Sequence, residues 1–178
     1  MKRQTPDKGS DGACSYLRFA TMIATSTVVM LALMYFTVWE GGHVWWSQTK
    51  GYMALYMGGA MALVMLGFML GMYRDKAKNL TIVAIALAAF LGGLFLMRFQ
   101  TTVEDVAWMK GMIPHHSLAI LTSKRAALSD SRVRKLAGDI IKVQRAEIAE
   151  MEFYIRDIEA NGDAPAGAGR RKFEAKEE

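Results

Sequence analysis

Four residues with metal-binding side chains lie on one arc of a predicted helix near residue 110. Asp105, Met109, Met112 and His116 are spaced i, i+4, i+7 and i+11, so they fall within about 60° of arc at about 100° per residue. Apolar residues on the same side indicate that this arc faces inward: Ile113, Ile120 and Ala127. Carboxylate, thioether and imidazole groups are ligands of transition-metal ions.

A second predicted helix carries a matching inward group. Gln144, Glu147 and Met151 lie near the centre of its apolar stripe, which consists of Val133, Ile140, Ile148, Ile155 and Ile158. A buried carboxylate needs a protonated histidine, a metal ion or an arginine as its partner. Packing the two inward faces together would bring all seven side chains around one polar position.

His115 lies about 100° away from His116, so the two are not expected to bind one ion in a regular helix. Pro114 removes the hydrogen bond to the Lys110 carbonyl and predicts a kink there. Such a kink could rotate His115 inward or leave a backbone carbonyl free.

Packing is the competing interpretation of these residues. A buried histidine is often hydrogen-bonded core, methionine is an adaptable apolar filler, and Glu147 could pair with an arginine of a neighbouring subunit. Both interpretations remain open from the residues alone.

The elements that carry these residues form a predicted αα-hairpin at residues 102–160. Thr102 and Asp105 loosely resemble a capping box, and the first helix is predicted to run to about 128, in possible continuity with the preceding segment. Ser129-Asp130-Ser131 breaks it and supplies a new N-cap. Asn161-Gly162 is typical of an αL stop, and 161–178 is predicted to be a disordered tail. No strand alternation is visible, so the predicted fold class is all-α.

Three windows of 21, 23 and 19 residues without a charged side chain precede the hairpin. Helices of these lengths match the roughly 30 Å hydrocarbon core of a bilayer. They exclude a fully soluble protein and predict a transmembrane region at 18–99, with spans at about 18–39, 52–73 and 80–98 after a cytoplasmic tail, 1–17.

Basic residues beside the spans predict the orientation. The N-terminal tail has four, the first loop has only Lys50, and the second loop has three. We therefore expect a multi-pass protein of the bacterial inner membrane, with its N-terminus in the cytoplasm and the hairpin in the periplasm.

The second predicted span has methionine at every fourth position, from Met53 to Met69. This ridge could pass on a soft ion, but packing is the favoured interpretation. The same helix carries small residues at the spacing of close helix packing: Ala54, Gly58, Ala62, Gly67 and Gly71.

Composition excludes several classes of function. The single cysteine allows no intrachain disulfide and no cysteine-based zinc or iron–sulfur site. The net charge of +5 comes from residues beside the spans or alternating with acids, so no nucleic-acid partner is expected. No Glu-x-x-His di-iron pair, nucleophile–base pair or nucleotide motif is present, so no catalytic residues are expected, and a metal-dependent redox enzyme is the less favoured alternative.

One stretch resembles domain-of-unknown-function family 305. It comprises Met112-Ile113-Pro114-His115-His116, Ala119-Ile120, Leu136-Ala137, Ile140-Ile141, Gln144, Glu147-Ile148 and Met151, with Asp105 and Trp108 before it. The resemblance implies a ferritin-like helical fold of extracytoplasmic bacterial proteins, some of which bind copper. It implies Met109, Met112, His115, His116 and Met151 as metal ligands, with Gln144 and Glu147 as support or ligands.

Two departures from the family pattern bear on this expectation. Thr122 stands where a further methionine of the family is expected, and many members have a duplicated hairpin. One hairpin buries little surface, so we expect a homodimer that completes a four-helix bundle.

The expected function is a membrane-anchored, extracytoplasmic copper-binding protein for storage, buffering or handover to a periplasmic partner. Mixed Met and His ligation suits Cu(I), and carboxylates admit Cu(II). The alternative is a structural or partner-binding membrane protein. Because His43, His115 and His116 are predicted on one side of the membrane, we also hypothesise that His43 approaches the hairpin site.

Overall fold

The computed structural model describes residues 8–165 and 167–169, with side chains from Cys14 onward. Within these residues there are five α-helices and no strand, which confirms the all-α prediction. The helices are α1 (Lys8–Leu33), α2 (Gln48–Met69), α3 (Lys76–Phe99), α4 (Asp105–Arg125) and α5 (Ser131–Asn161). They form two compact units. The membrane unit combines residues up to Ala32 with Thr49–Thr101, and the hairpin unit combines Leu33–Gln48 with residues from Thr102 onward.

Three helices are long and apolar enough to cross a membrane, as predicted: Cys14–Leu33 of α1, together with α2 and α3. Their bounds differ from the predicted spans. α1 ends at Leu33 and not at 39, because the residues that follow belong to the hairpin unit. α2 ends at Met69, where the amides of Met72 and Tyr73 both bond to the Met69 carbonyl and close a turn.

Glycines set the distances between the helices of the membrane unit. A Cβ added at Gly59 would lie 2.6 Å from the Ala86 carbonyl oxygen, and one at Gly93 would lie 2.8 Å from the Tyr56 amide nitrogen. Backbones that approach this closely leave no room for a side chain. Small residues of α2 are buried as predicted, namely Ala54, Gly58 and Ala62.

The prediction is wrong for the other two glycines of that series. Gly67 and Gly71 are exposed, and an added Cβ would meet nothing within 4 Å. Within the described residues they therefore pack against no other helix. The methionine ridge of α2 is half-buried, and Met65 and Met69 pack on a cluster of Phe19, Leu66 and Tyr73.

The ends of the hairpin helices show which local signals were correct. The Asp130 side chain accepts a hydrogen bond from the Arg132 amide, so it is the predicted N-cap of α5. The predicted capping box before α4 is wrong, because the N-cap is Glu104 and its side chain makes no capping hydrogen bond.

The chain around the hairpin departs from the prediction in two places. α3 ends at Phe99, followed by Gln100 with a positive φ of 53°, so α3 and α4 are separate helices. Gly162 ends α5 with φ 76° and ψ −178°, which is not the αL conformation. Part of the predicted disordered tail lies outside the described residues, and residues 162–165 and 167–169 form no helix.

Large apolar side chains form the core of the hairpin. The buried cluster consists of Met109, Ile113, Ile120, Ile148, Met151 and Ile155. Ala127 and Val133 were predicted to be buried but are exposed. Because α4 ends at Arg125, Ala127 lies in the connection between the helices. Val133 lies in the first turn of α5, where α4 does not cover it.

The segment Leu33–Gln48 (the aromatic strap below) packs on this hairpin as a third element. Trp39 and Trp45 contact the buried cluster. Lys124 Nζ lies 4.3 Å from the centre of the Trp39 ring, and Lys110 Nζ lies 5.6 Å from the Trp45 ring, both within cation–π range. The strap therefore adds two tryptophan rings to the core of the hairpin.

Candidate metal site

His116 and Glu147 are predicted site residues that meet across the hairpin. The distance from His116 Nδ1 to Glu147 Oε2 is 3.1 Å. The imidazole is 16% exposed and the carboxylate 42% exposed. Nδ1 is buried, and its contact with the carboxylate lacks the alignment of a directed hydrogen bond. Gln144 Nε2 donates to the same carboxylate oxygen at 3.4 Å, so it holds Glu147 toward the histidine.

Burial decides the protonation of this histidine. Desolvation lowers the pKa of His116 below its usual value, and the neighbouring His115 lowers it further. The carboxylate of Glu147 raises the pKa but does not cancel the effect of burial. The imidazole is therefore neutral at pH 7, which is the form that binds metal ions.

Two methionines lie next to this pair in the helical register. Met112 precedes His116 by one turn, and Met151 follows Glu147 by one turn, so each is a surface neighbour of its partner. Because α4 and α5 are antiparallel, both methionines lie on the same side of the His116–Glu147 pair. Lys110 Nζ, 2.6 Å from Glu159 Oε1, continues the same pairing order toward the open end.

The methionines differ in burial. Met109 and Met151 are buried members of the hairpin core, and Met112 is half-buried against it. Met109 lies farther along α4 from His116 than Met112 does. The predicted inward orientation of all three is confirmed.

Two of the predicted ligands do not point inward. Asp105 is exposed at the first residue of α4, and His115 is exposed with its ring centre 6.2 Å from that of His116. The hypothesis that Pro114 rotates His115 inward is wrong, because α4 runs through Pro114 as one helix and the proline itself is buried. His115 therefore keeps the outward direction that regular helical phase gives it.

Carboxylate and imidazole groups alone do not provide a full set of metal ligands in the described part of the chain. Among the residues that the structure describes, no three His, Cys, Asp or Glu side chains come together as a metal-binding group. Thr122 adds no ligand either, because its hydroxyl bonds to the Leu118 and Ala119 carbonyls of its own helix. A metal ion at this position would depend on the methionine sulfurs.

The strap brings a further histidine to the hairpin. His43 Nδ1 lies 2.9 Å from the hydroxyl of Ser117, the residue after His116, and the Trp39 amide donates to that same hydroxyl at 2.7 Å. Ser117 is fully buried. Sequence reasoning missed Ser117, although it occupies the i+4 position after Ile113 on the inward side. A polar residue on the inward side of a helix indicates a buried hydrogen bond, because buried polar groups need a partner.

The fold and this site define a class: an all-helical protein with three helices able to span a membrane and a helical hairpin rich in methionine and histidine. Residues 96–177 match the family described as Domain of unknown function (DUF305). The chain is also 33% identical over 116 residues to an uncharacterized protein of Acanthamoeba polyphaga mimivirus, which covers 60% of this chain and 75% of the viral protein. The chain belongs to the DUF305 family. No match among solved structures was found.

Proposed function

We propose that this protein is a membrane-anchored metal-binding protein that holds copper in its hairpin for storage, buffering or handover. The observation that carries the proposal is the buried His116 Nδ1, which lies 3.1 Å from Glu147 Oε2 without the alignment of a directed hydrogen bond. Two ligands at about 2.1 Å from one ion are about 3.0 Å apart at a 90° ligand–metal–ligand angle and about 3.4 Å apart in a tetrahedral site. The spacing of these two donors therefore suits a shared ion.

Met112 and Met151 would complete the ligand set. Both lie one helical turn from the central pair and on the same side of it. Thioether sulfur prefers Cu(I), and the neutral imidazole and the carboxylate allow Cu(II) as well. These residues include the Met112–His116 box through which the sequence resembles the family.

The proposed location is the periplasmic side of a bacterial inner membrane. The basic residues around α1, α2 and α3 favour a cytoplasmic N-terminus. The aromatic strap follows the first of these helices and the hairpin follows the third, and the two belong to one compact unit. Three crossings place the strap and the hairpin on the same side of a membrane, so their packing in one unit supports the number of spans, and the basic residues support the orientation.

A homodimer is the proposed assembly. Apolar side chains line one flank of α5 and are exposed: Val133, Leu136 and Val143 at 44%, 57% and 52%. Their spacing of i, i+3 and i+10 places them on one face. A second hairpin packed there would complete a four-helix bundle. Chemical crosslinking of the protein in membranes, with Leu136→Glu as the disrupting variant, tests this assembly.

Copper titration of the full-length protein in detergent tests the function. We expect one Cu(I) per chain, with affinity reduced about 100-fold by His116→Ala. His115→Ala is the matched control, because it removes the adjacent, exposed imidazole. Equal losses from both variants, or no saturable binding to the parent protein, would contradict the site.

The methionines offer a second matched pair. Met151→Leu removes a sulfur next to Glu147, whereas Met109→Leu removes an equally buried sulfur farther from His116. X-ray absorption of Cu(I)-loaded protein should lose a sulfur scatterer only in the first variant. Spectra with nitrogen and oxygen scatterers alone would contradict methionine ligation.

A non-metal function is the competing candidate, and one observation favours it. Met109 and Met151 pack in the hydrophobic core as apolar filler would. In that case the hairpin binds other protein chains through the exposed flank of α5, and copper binding would be unaffected by any of the substitutions above.

A further inference from the structure

The membrane unit contains an apolar groove that is unrelated to the hairpin site. The groove lies between α1 and α3, has α2 as its floor, and has a volume of about 610 Å³. This volume is within the roughly 300–1,000 Å³ of small-ligand sites. Small side chains keep its walls open, among them Ala20, Ala24, Gly58 and Ala89.

The few polar groups of the groove are concentrated at one end. Tyr16 and Lys78 lie at that end, which is called the mouth below. Along the walls, the Thr27 hydroxyl donates to the Ile23 carbonyl and the Thr81 hydroxyl donates to the Ala77 carbonyl. Because these hydroxyls already donate to carbonyls of their own helices, the interior of the groove remains mainly apolar.

The length of the groove matches one leaflet of a bilayer. Its lining runs from Tyr16 to Thr27 on α1 and from Ala77 to Ala89 on α3. At 1.5 Å per residue the two walls are about 17 Å and about 18 Å long, which is a little over half of the roughly 30 Å hydrocarbon core. A transmembrane helix from a second copy would need a groove that crosses the whole core.

The mouth is rich in positive charge. Lys78 lies there beside the Tyr16 ring, 5.2 Å from its centre. Arg74 and Lys76 precede Lys78 closely at the start of α3. The one acidic residue among them, Asp75, caps α3 through the Ala77 and Lys78 amides and lies 3.4 Å from Lys78 Nζ. This pair is exposed, so it competes only weakly with another anion.

We propose that this groove binds one acyl chain of an anionic phospholipid, with the headgroup phosphate at Lys78. The apolar walls accept the chain, the half-membrane length fits a lipid from one leaflet, and the basic mouth selects an anionic headgroup. The Tyr16 hydroxyl donates to Asn79 Oδ1 at 2.8 Å. This bond links α1 to α3 at that end and so fixes the width of the mouth.

Native mass spectrometry of the full-length protein in detergent tests the proposal with added phosphatidylglycerol or phosphatidylcholine of equal chain length. We expect one phosphatidylglycerol per chain, bound more tightly than phosphatidylcholine. Ala20→Leu/Ala24→Leu fills the groove and should weaken binding about tenfold, the effect of about two methylene groups of lost contact. Lys78→Gln should reduce phosphatidylglycerol to the level of phosphatidylcholine.

Ala88→Leu is the matched control, since Ala88 is an exposed alanine of α3 that does not line the groove. It should bind lipid like the parent. Equal lipid retention by the parent and all variants would overturn the proposal. So would a chain dimer that the groove-filling variant dissociates, because the occupant would then be a second copy. Lys78→Gln changes only an exposed side chain, so it tests the headgroup even if the alanine variants fold poorly.

Discussion

The two units of this protein are packed by opposite means. In the membrane unit, glycine and alanine bring helix backbones together, as at Gly59 and Gly93. In the hairpin unit, large side chains such as Ile113 and Ile155 fill the space between the helices, and tryptophans cover it. Lipid tails are as apolar as leucine, so helices in a bilayer gain stability from close contact, whereas in water burial of apolar area dominates.

The largest expected effect comes from removing core volume in the hairpin. Ile113 has no exposed surface, so Ile113→Ala should lower the free energy of unfolding by about 4 kcal/mol through lost burial and the cavity left behind. Chemical denaturation followed by tryptophan fluorescence measures it. Lys142→Ala, at an exposed position of α5 outside the proposed dimer flank, is the control and should change little. Similar losses from both would mean that the hairpin core is misplaced.

The reverse experiment adds volume in the membrane unit. Gly59→Ala would place a Cβ 2.6 Å from the Ala86 carbonyl and 2.7 Å from the Phe90 amide, and should destabilise the unit by about 2 kcal/mol because two backbones must separate. Thermal unfolding in detergent measures it by circular dichroism.

Gly67→Ala is the control for that substitution, because its added Cβ meets open space. It should be neutral or stabilising by up to about 1 kcal/mol, since alanine favours helix. A destabilising Gly67→Ala would show that Gly67 packs against another chain.

A smaller effect is expected where the strap joins the hairpin. Ser117→Ala removes the acceptor of the Trp39 amide and the partner of His43, and should cost about 1–2 kcal/mol because a polar group is left unsatisfied. Increased hydrogen exchange in residues 39–43 would show that the strap has loosened. Thr122→Ala, which removes an exposed hydroxyl bonded within its own helix, should leave that exchange unchanged.

The smallest effect is a pH dependence of the metal-free hairpin. Because burial lowers the pKa of His116 in the folded state, the unfolded chain takes up a proton first as the pH falls. Stability should therefore be full above about pH 6.5 and decrease as the pH falls through the folded-state pKa. Melting temperatures between pH 8 and 5 measure this, and His116→Gln should flatten the slope. If the slope persists in His116→Gln and disappears in His115→Gln, the pH dependence comes from His115 and the prediction is wrong.

Much of the candidate site followed from helical phase. The inward directions of Met109, His116 and Met151 depend only on the 100° step of a helix, and that step is local. The outward position of Asp105 was not predictable in this way, because it depends on where α4 begins and which part of α5 covers it. The same reason explains why Ala127 and Val133 are exposed. Both have the helical phase of the apolar side, but they lie beyond the region in which α4 and α5 overlap.

The sequence alone determined the helices, the three apolar spans and the Asp130 cap, because each depends on residues within a few turns of one another. Only the tertiary structure decided that Leu33–Gln48 packs on the hairpin and that His43 reaches Ser117. Contacts between residues more than 70 positions apart depend on the shapes of both surfaces, and no periodicity within either segment encodes them.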